Sequence, residues 1–139
     1  MNLTKEKLLS KLRSFCKNTL LETLEIEFID ISDKTIIARM PVTPKVHQPD
    51  GVLHGGATVA LAESIGSAAA IVFMGAENVS VRGIEISANH VKSVRDGFVY
   101  AKTEVIHKGR TTQVWLIRIT NENDELISLV KLTTLAIYN

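Results

Sequence analysis

The chain has 139 residues, 45% of them hydrophobic and 22% charged, the balance of an ordinary globular protein with one domain over residues 1–139. With 16 Lys and Arg against 15 Asp and Glu, it projects no strong field toward nucleic acid or an anionic membrane, and neither is expected as a partner. Its single cysteine, Cys16, excludes an intramolecular disulfide and a cysteine metal cluster, and the absence of a signal-peptide pattern adds to the expectation of a reducing, cytoplasmic setting.

Residues 4–17 predict a short amphipathic helix with Thr4 at its N-cap. Leu8, Leu9, Leu12, Phe15 and Cys16 form its apolar stripe, and Lys5, Lys7, Lys11 and Arg13 a solvated face. Cys16 on that stripe reads as a small core residue rather than a nucleophile. Residues 24–31 and 35–42 predict two strands joined at Ser32-Asp33-Lys34, and residues 43–53, with Pro44, Pro49 and Asp50-Gly51, predict a loop.

Residues 54–74 predict one long helix, with Gly75 as its stop. The stretch contains no Lys, Arg or Pro and one acid, Glu63. A helix apolar all round is buried in a core or in a membrane. The Gly-Gly start, the Ala/Gly/Ser-rich composition, the mid-helix Glu and the lack of a flanking basic cluster favour a soluble core. Residues 79–97 are strand-like, with a turn at Arg95-Asp96-Gly97, and residues 98–107, 111–120 and 125–138 predict three further strands. Val99, Ala101, Thr103 and Val105 alternate with Phe98, Tyr100, Lys102 and Glu104, as a half-covered sheet requires. The order of elements predicts an α+β fold, an antiparallel sheet curled around one central helix.

Two features of the central helix carry chemistry. Glu63, alone among apolar neighbours, must be paired, protonated or set on a wet cleft, and a partly desolvated carboxylate suits general-base work. Ser67, four residues on, shares its face and is placed to orient that carboxylate or a water. At the helix start, His54-Gly55-Gly56 presents backbone N–H groups without intrahelical partners at the positive end of the dipole, an oxyanion-hole arrangement. Gly55 and Glu63 are eight residues apart, about 12 Å along one helix at about 1.5 Å per residue. A single carbonyl hardly reaches both, so joint action predicts a site shared between two antiparallel helices of neighbouring subunits.

Basic residues gather at two turns, His90, Lys92 and Arg95 and then His107, Lys108 and Arg110, and such clusters hold phosphates or simply solvate a turn. The four histidines show no metal-ligand spacing, and no Gly-x-Ser-x-Gly elbow, Walker loop or dinucleotide fingerprint occurs.

Taken together, Gln48-Pro49-x-Gly51-x-Leu53-His54-Gly55-Gly56 and Ala62-Glu63-Ser64-Ile65-Gly66-Ser67 resemble the hotdog-fold acyl-CoA thioesterases. The branch is that of 4-hydroxybenzoyl-CoA thioesterases, phenylacetate-degradation-like proteins and menaquinone-pathway thioesterases. Gly83-x-Glu85-Ile86-x-Ala88-Asn89-His90-Val91, His107-x-Gly109-Arg110 and Leu132-Thr133-Thr134 extend the likeness over nearly the whole chain from Leu24. The resemblance implies a long helix wrapped by an antiparallel sheet, a side-by-side dimer commonly doubled to a homotetramer, and hydrolysis of an acyl-CoA thioester with no metal or organic cofactor.

By the same resemblance Glu63 matches the catalytic carboxylate, as nucleophile or general base. Gly55 would polarise the carbonyl, Gln48 and His54 would place it, and Ser67 would support the nucleophile. Gly83, His90, Val91, Lys92, Ser93, His107, Lys108, Gly109, Arg110, Thr111 and Thr112 match coenzyme A-binding positions, and His47 and Asp50 stand where acyl preference is set. The acyl group, aromatic or medium-chain, and the carrier, coenzyme A or acyl-carrier protein, stay open. So do two related activities: a hotdog hydratase or dehydratase, and a non-catalytic acyl-CoA sensor.

Overall fold

The computed structural model describes residues 4–75 and 78–139. Helix α1 (Lys5–Phe15) begins where the Thr4 hydroxyl accepts the Lys7 N–H, the N-cap read from the sequence. Asn18, in the left-handed region at φ 61°, turns the chain into a single helical turn, α2 (Leu20–Thr23), capped by Thr19. So short a helix leaves no periodicity to read. It also displaces the start of the first strand: Leu24 caps α2 and Glu25 is left-handed at φ 58°, so β1 spans Glu27–Ile31 rather than opening at Leu24.

β2 (Ile36–Pro41) pairs with β1 across a turn in which the Ser32 hydroxyl accepts the Lys34 and Thr35 N–H groups. Helix α3 (Gly55–Met74) follows, ending at Gly75 in the left-handed conformation, φ 59°. Four strands complete the chain: β3 (Val79–His90), β4 (Phe98–Lys108), β5 (Thr112–Thr120) and β6 (Leu126–Tyr138). All pairings are antiparallel, in the order β1-β2-β4-β5-β6-β3.

The helix long and apolar enough to cross a bilayer packs instead against β2, β3, β4, β5 and β6. Leu61, Ala62, Ile65, Ala69 and Ala70 are sealed beneath it. Their small size lets the backbone lie close to the sheet, where Trp115 fills the space and Phe73 packs on it with ring centroids 6.2 Å apart. The sheet wraps this one helix, as predicted.

Three local readings need correction. Residues 79–97 do not continue as strand: the chain leaves the sheet at His90, and residues 91–97 are held by backbone bonds from Val91 N–H to Ile127 C=O, from Leu53 N–H to Val94 C=O and from Val42 N–H to Gly97 C=O. The inward alternation on β4 holds for Val99, Ala101 and Thr103 but not Val105, which stays in register opposite Trp115 yet is exposed; the bulge in the β4–β5 pairing lies beyond it, between Val105 and His107. Phe15 is not on the buried stripe but exposed, whereas Leu9 and Leu12 pack inward. Cys16 is half-buried, its Sγ–H donates to the Leu12 carbonyl, and burial pushes its thiol up, with Glu22 adding to the shift. That keeps it protonated and unreactive.

A buried polar chain ties the core to the β4–β5 turn. Trp115 Nε1–H donates to Thr134 Oγ1 (3.0 Å), Thr134 donates to Gln113 Oε1 (2.9 Å), and Gln113 Nε2–H donates to the Gly109 carbonyl (3.0 Å). Trp115, Gln113 and Thr134 are fully buried. Thr134→Val keeps the shape but orphans the Trp115 donor and the Gln113 acceptor, and urea unfolding should show a loss of about 1–3 kcal/mol.

Candidate active site

The approach to α3 is fixed by backbone. Pro44–Val46 makes a 3-10 turn, His47 and Leu53 form a β-bridge, and a reversal at Gly51 (φ 82°) lets Gln48 N–H reach the Val52 carbonyl at 2.8 Å. The His47 ring bonds through Nε2 to the Arg95 carbonyl (2.9 Å), pinning this loop to residues 91–97.

His54 is the N-cap of α3. Its Nδ1 accepts the Gly56 N–H at 2.8 Å, which places the ring proton on Nε2. Ala57 and Thr58 N–H donate to the His54 carbonyl. Among the described residues the Gly55 N–H has no hydrogen-bond partner. Gly55 lines a cleft of about 430 Å³ together with Gln48, Thr58, His90, Val91, Lys92 and Ser93.

His90 is held in that cleft by Ser128, a fully buried residue of β6. Ser128 donates to the Asn89 carbonyl (3.2 Å), and the His90 Nδ1 lies 2.9 Å from its hydroxyl. With the hydroxyl proton so used, His90 Nδ1–H is the donor and Nε2 points at the helix start. A Cβ added to Gly55 would lie 2.8 Å from that Nε2, so glycine is required for the approach. Lys92 is ion-paired with Glu125, and together with Asn121 it holds the Glu125 carboxyl below the usual carboxylate range.

Glu63 lies two turns further along α3 and lines a different cleft. It is half-buried and, among the described residues, has no hydrogen-bond or ion-pair partner. The structural alternative, a carboxylate satisfied by backbone amides or a neighbouring base, is therefore not what the fold provides. Its Oε1 sits against Gly83 on β3, where a Cβ would fall 2.6 Å away, and the β3–β6 pairing is bulged between Gly83 and Glu85. Bulges of this kind re-aim backbone beside functional groups. Ser67 lines the same groove as Glu63, without a hydrogen bond between them.

The predicted residues thus fall into separate places within one chain. Gln48, Gly55, His90, Val91, Lys92 and Ser93 share one cleft. Glu63, Ser67 and Gly83 form a second group. His54 and His47 line a third surface beside Gly56. His107, Lys108, Gly109, Arg110, Thr111 and Thr112 make the β4–β5 turn, where the Arg110 guanidinium lies 4.5 Å from the Tyr138 ring centroid and Tyr138 Oη–H donates to the Arg110 carbonyl. Two contributors escape the sequence reading. Thr58 is buried in the cleft wall three residues after Gly55, and that spacing was available. Ser128 reaches His90 only through the β3–β6 register, which no local pattern discloses.

The family model of the thioesterase superfamily matches residues 50–128. A 1,4-dihydroxy-2-naphthoyl-CoA hydrolase of Escherichia coli is 43% identical over 126 residues, covering 91% of this chain and 92% of its own length. A proofreading thioesterase of Cronobacter turicensis is 39% identical over 126 residues, covering 91% of each. The crystal structure of a thioesterase from Haemophilus influenzae superposes with a TM-score of 0.92 at 40% identity, over 99% of this chain and 93% of that one. The chain belongs to the thioesterase superfamily and has the hotdog fold of its members. It is a thioester hydrolase.

Gly83→Ala tests the contact that positions the carboxylate. An added methyl at an exposed edge strand leaves thermal stability nearly unchanged but pushes Glu63 aside. Thiol release from a thioester substrate should fall by about 10-fold or more, since small misplacements of reacting groups cost on that scale.

Proposed function

We propose that the protein hydrolyses an acyl-CoA to the free carboxylic acid and coenzyme A, with Glu63 as the carboxylate that drives the reaction. The observation that carries this reading is the half-buried Glu63 without a partner among the described residues, on the same helix whose first N–H, at Gly55, likewise has none among them. A thioester carbonyl oxygen accepting the Gly55 N–H becomes more electrophilic at carbon, and the helix dipole stabilises the charge that gathers on that oxygen. Glu63 then either attacks the carbon, giving an anhydride that water afterwards hydrolyses to the free acid and the restored Glu63 carboxylate, or takes a proton from a water that adds to the carbon and becomes part of the acid. The C–S bond breaks, and the departing thiolate takes up a proton. No metal or organic cofactor enters this scheme.

Within one chain the two groups line different clefts, which supports a site completed by a second copy. The β3 edge favours such pairing: twelve residues long, it has no neighbour on its outer side and exposes Ile84. Two copies joined there would set antiparallel helices side by side and bring Gly55 of one against Glu63 of the other, and a further doubling gives the homotetramer. Gln48 is placed to hold the carbonyl, while His54 acts through the cap that fixes the first turn. His90 to Ser93 and His107 to Thr112 are the coenzyme A contacts. A cytoplasmic location suits a substrate of that kind. The chemistry named for the Escherichia coli relative, hydrolysis of 1,4-dihydroxy-2-naphthoyl-CoA, makes aromatic acyl groups the first to assay.

Glu63→Gln retains size and removes basicity. Its thiol release from acyl-CoAs should drop by about 100-fold or more, the scale of a general base or nucleophile, with the melting temperature preserved. Unchanged turnover would remove Glu63 from the mechanism. Co-expression of Glu63→Gln with Gly55→Val, each inactive alone, should restore turnover in mixed oligomers, because one of the two shared sites is then intact. Mixed oligomers that stay inactive would place both groups in one subunit.

A further inference from the structure

We propose that the Thr58 hydroxyl is a second hydrogen-bond donor to the thioester carbonyl oxygen, beside the Gly55 N–H, which makes Thr58 a catalytic residue. This rests on the acyl-CoA hydrolysis proposed above and adds a group to its carbonyl-binding site.

Five polar side chains are buried among the described residues: Thr58, Thr103, Gln113, Ser128 and Thr134. Four of them have partners. Thr103 accepts the Ile36 N–H, Ser128 donates to the Asn89 carbonyl, and Gln113 and Thr134 bond to each other. Thr58 is the exception: 2% exposed, its hydroxyl has no hydrogen bond to any described residue. Burying a hydroxyl without a partner is costly. No sealed side-chain nitrogen or oxygen among the described residues lacks a partner, so the Thr58 Oγ1 must touch open space. The space that Thr58 lines is the cleft it shares with Gln48, Gly55 and His90.

The helix explains why the hydroxyl is left over. A helical threonine commonly turns its hydroxyl back to the carbonyl four residues earlier, as Ser64 does to Ala60 in α3 (2.6 Å). For Thr58 that carbonyl belongs to His54, and it already accepts the Ala57 and Thr58 N–H groups. Side chains lean toward the N-terminus of their helix, and residues three apart are neighbours, so Thr58 lies over the turn that Gly55 opens. Positions so spaced stand about 5–6 Å apart. One oxygen accepting two hydrogen bonds of about 2.7–3.0 Å spans that gap. His90 Nε2, at the same helix start, is an acceptor in the tautomer that Ser128 sets, so it offers this oxygen no hydrogen. Negative charge gathering on a carbonyl oxygen is better stabilised by two fixed donors than by one.

The test measures kcat and KM for benzoyl-CoA with the native protein, Thr58→Val, Thr58→Ser and Thr58→Ala, with a circular dichroism melt for each. Val keeps the shape and loses the hydroxyl, whereas Ser and Ala differ from each other only in that oxygen. The kcat of Thr58→Val should fall about 100-fold, the scale of one oxyanion donor, with KM little changed because the bond strengthens as charge develops. Ser should exceed Ala by a similar factor, a comparison that stands even if Val disturbs the fold. Equal kcat for Ser and Ala, or an unchanged kcat in Val, overturns the proposal. Infrared spectra of benzoyl-CoA labelled with carbon-13 at the thioester carbonyl, bound to Glu63→Gln, give a readout that packing does not move. The carbonyl band should shift to lower frequency on binding and return part of the way when Thr58→Val is added. A native protein that turns over no thioester sinks the proposed reaction instead. Thr58 is then judged by the bound carbonyl band of the native protein against Thr58→Val, and identical bands overturn its role.

Discussion

The structure depends on burying one helix that is apolar on every side yet carries a carboxylate in its middle. Twenty residues of α3 offer no polar face to water, so the chain covers them with a curled antiparallel sheet, and five of the six strands touch the helix. Small side chains at Ala62, Gly66 and Ala69 bring the sheet close enough for Trp115, Ile117 and Leu132 to seal the interior. This six-stranded sheet stays open around the helix, with β1 and β3 at its edges. The remaining gap, between the α1–α2 side and the β3 edge, is where Glu63 lies.

The same helix carries both candidate groups for opposite reasons. At its start, geometry denies the first N–H groups an intrahelical partner, and His54 satisfies Gly56 but leaves Gly55 free. In its middle, packing denies Glu63 a partner because its neighbours are Ala, Ser and Gly. Both groups ride on a rigid element, so the distance between them is fixed by the helical rise rather than by a loop. Gly83 and the adjacent bulge leave room on β3 for the carboxylate.

Much of this was legible in advance. The long uncharged run with one acid and a Gly-Gly start announced a central helix and its two candidate groups. Thr4, Ser32 and Gly75 marked boundaries through capping and turn chemistry that depend only on near neighbours. Less was legible where tertiary contacts decide. The one-turn α2, the exposure of Val105 and the bulge that follows it, and the exposure of Phe15 have no periodic signature. The strand-like residues 91–97 leave the sheet where the Ile127 carbonyl of β6 takes the Val91 N–H and the Leu53 and Val42 amides take the Val94 and Gly97 carbonyls.

By itself the sequence determined the class of fold, the central helix, and the residue types able to polarise a carbonyl and attack it, because hydrophobic period, caps and a lone acid in an apolar run are local properties. Only the tertiary structure decided which groups stand together. Register across β3 and β6 brings Ser128 to His90, sheet curl sets Gly83 against Glu63, and the fold-back of α1–α2 turns Phe15 and Leu20 into the rim of a groove. Each of these contacts joins residues far apart in the chain, and none leaves a trace in the spacing of its neighbours.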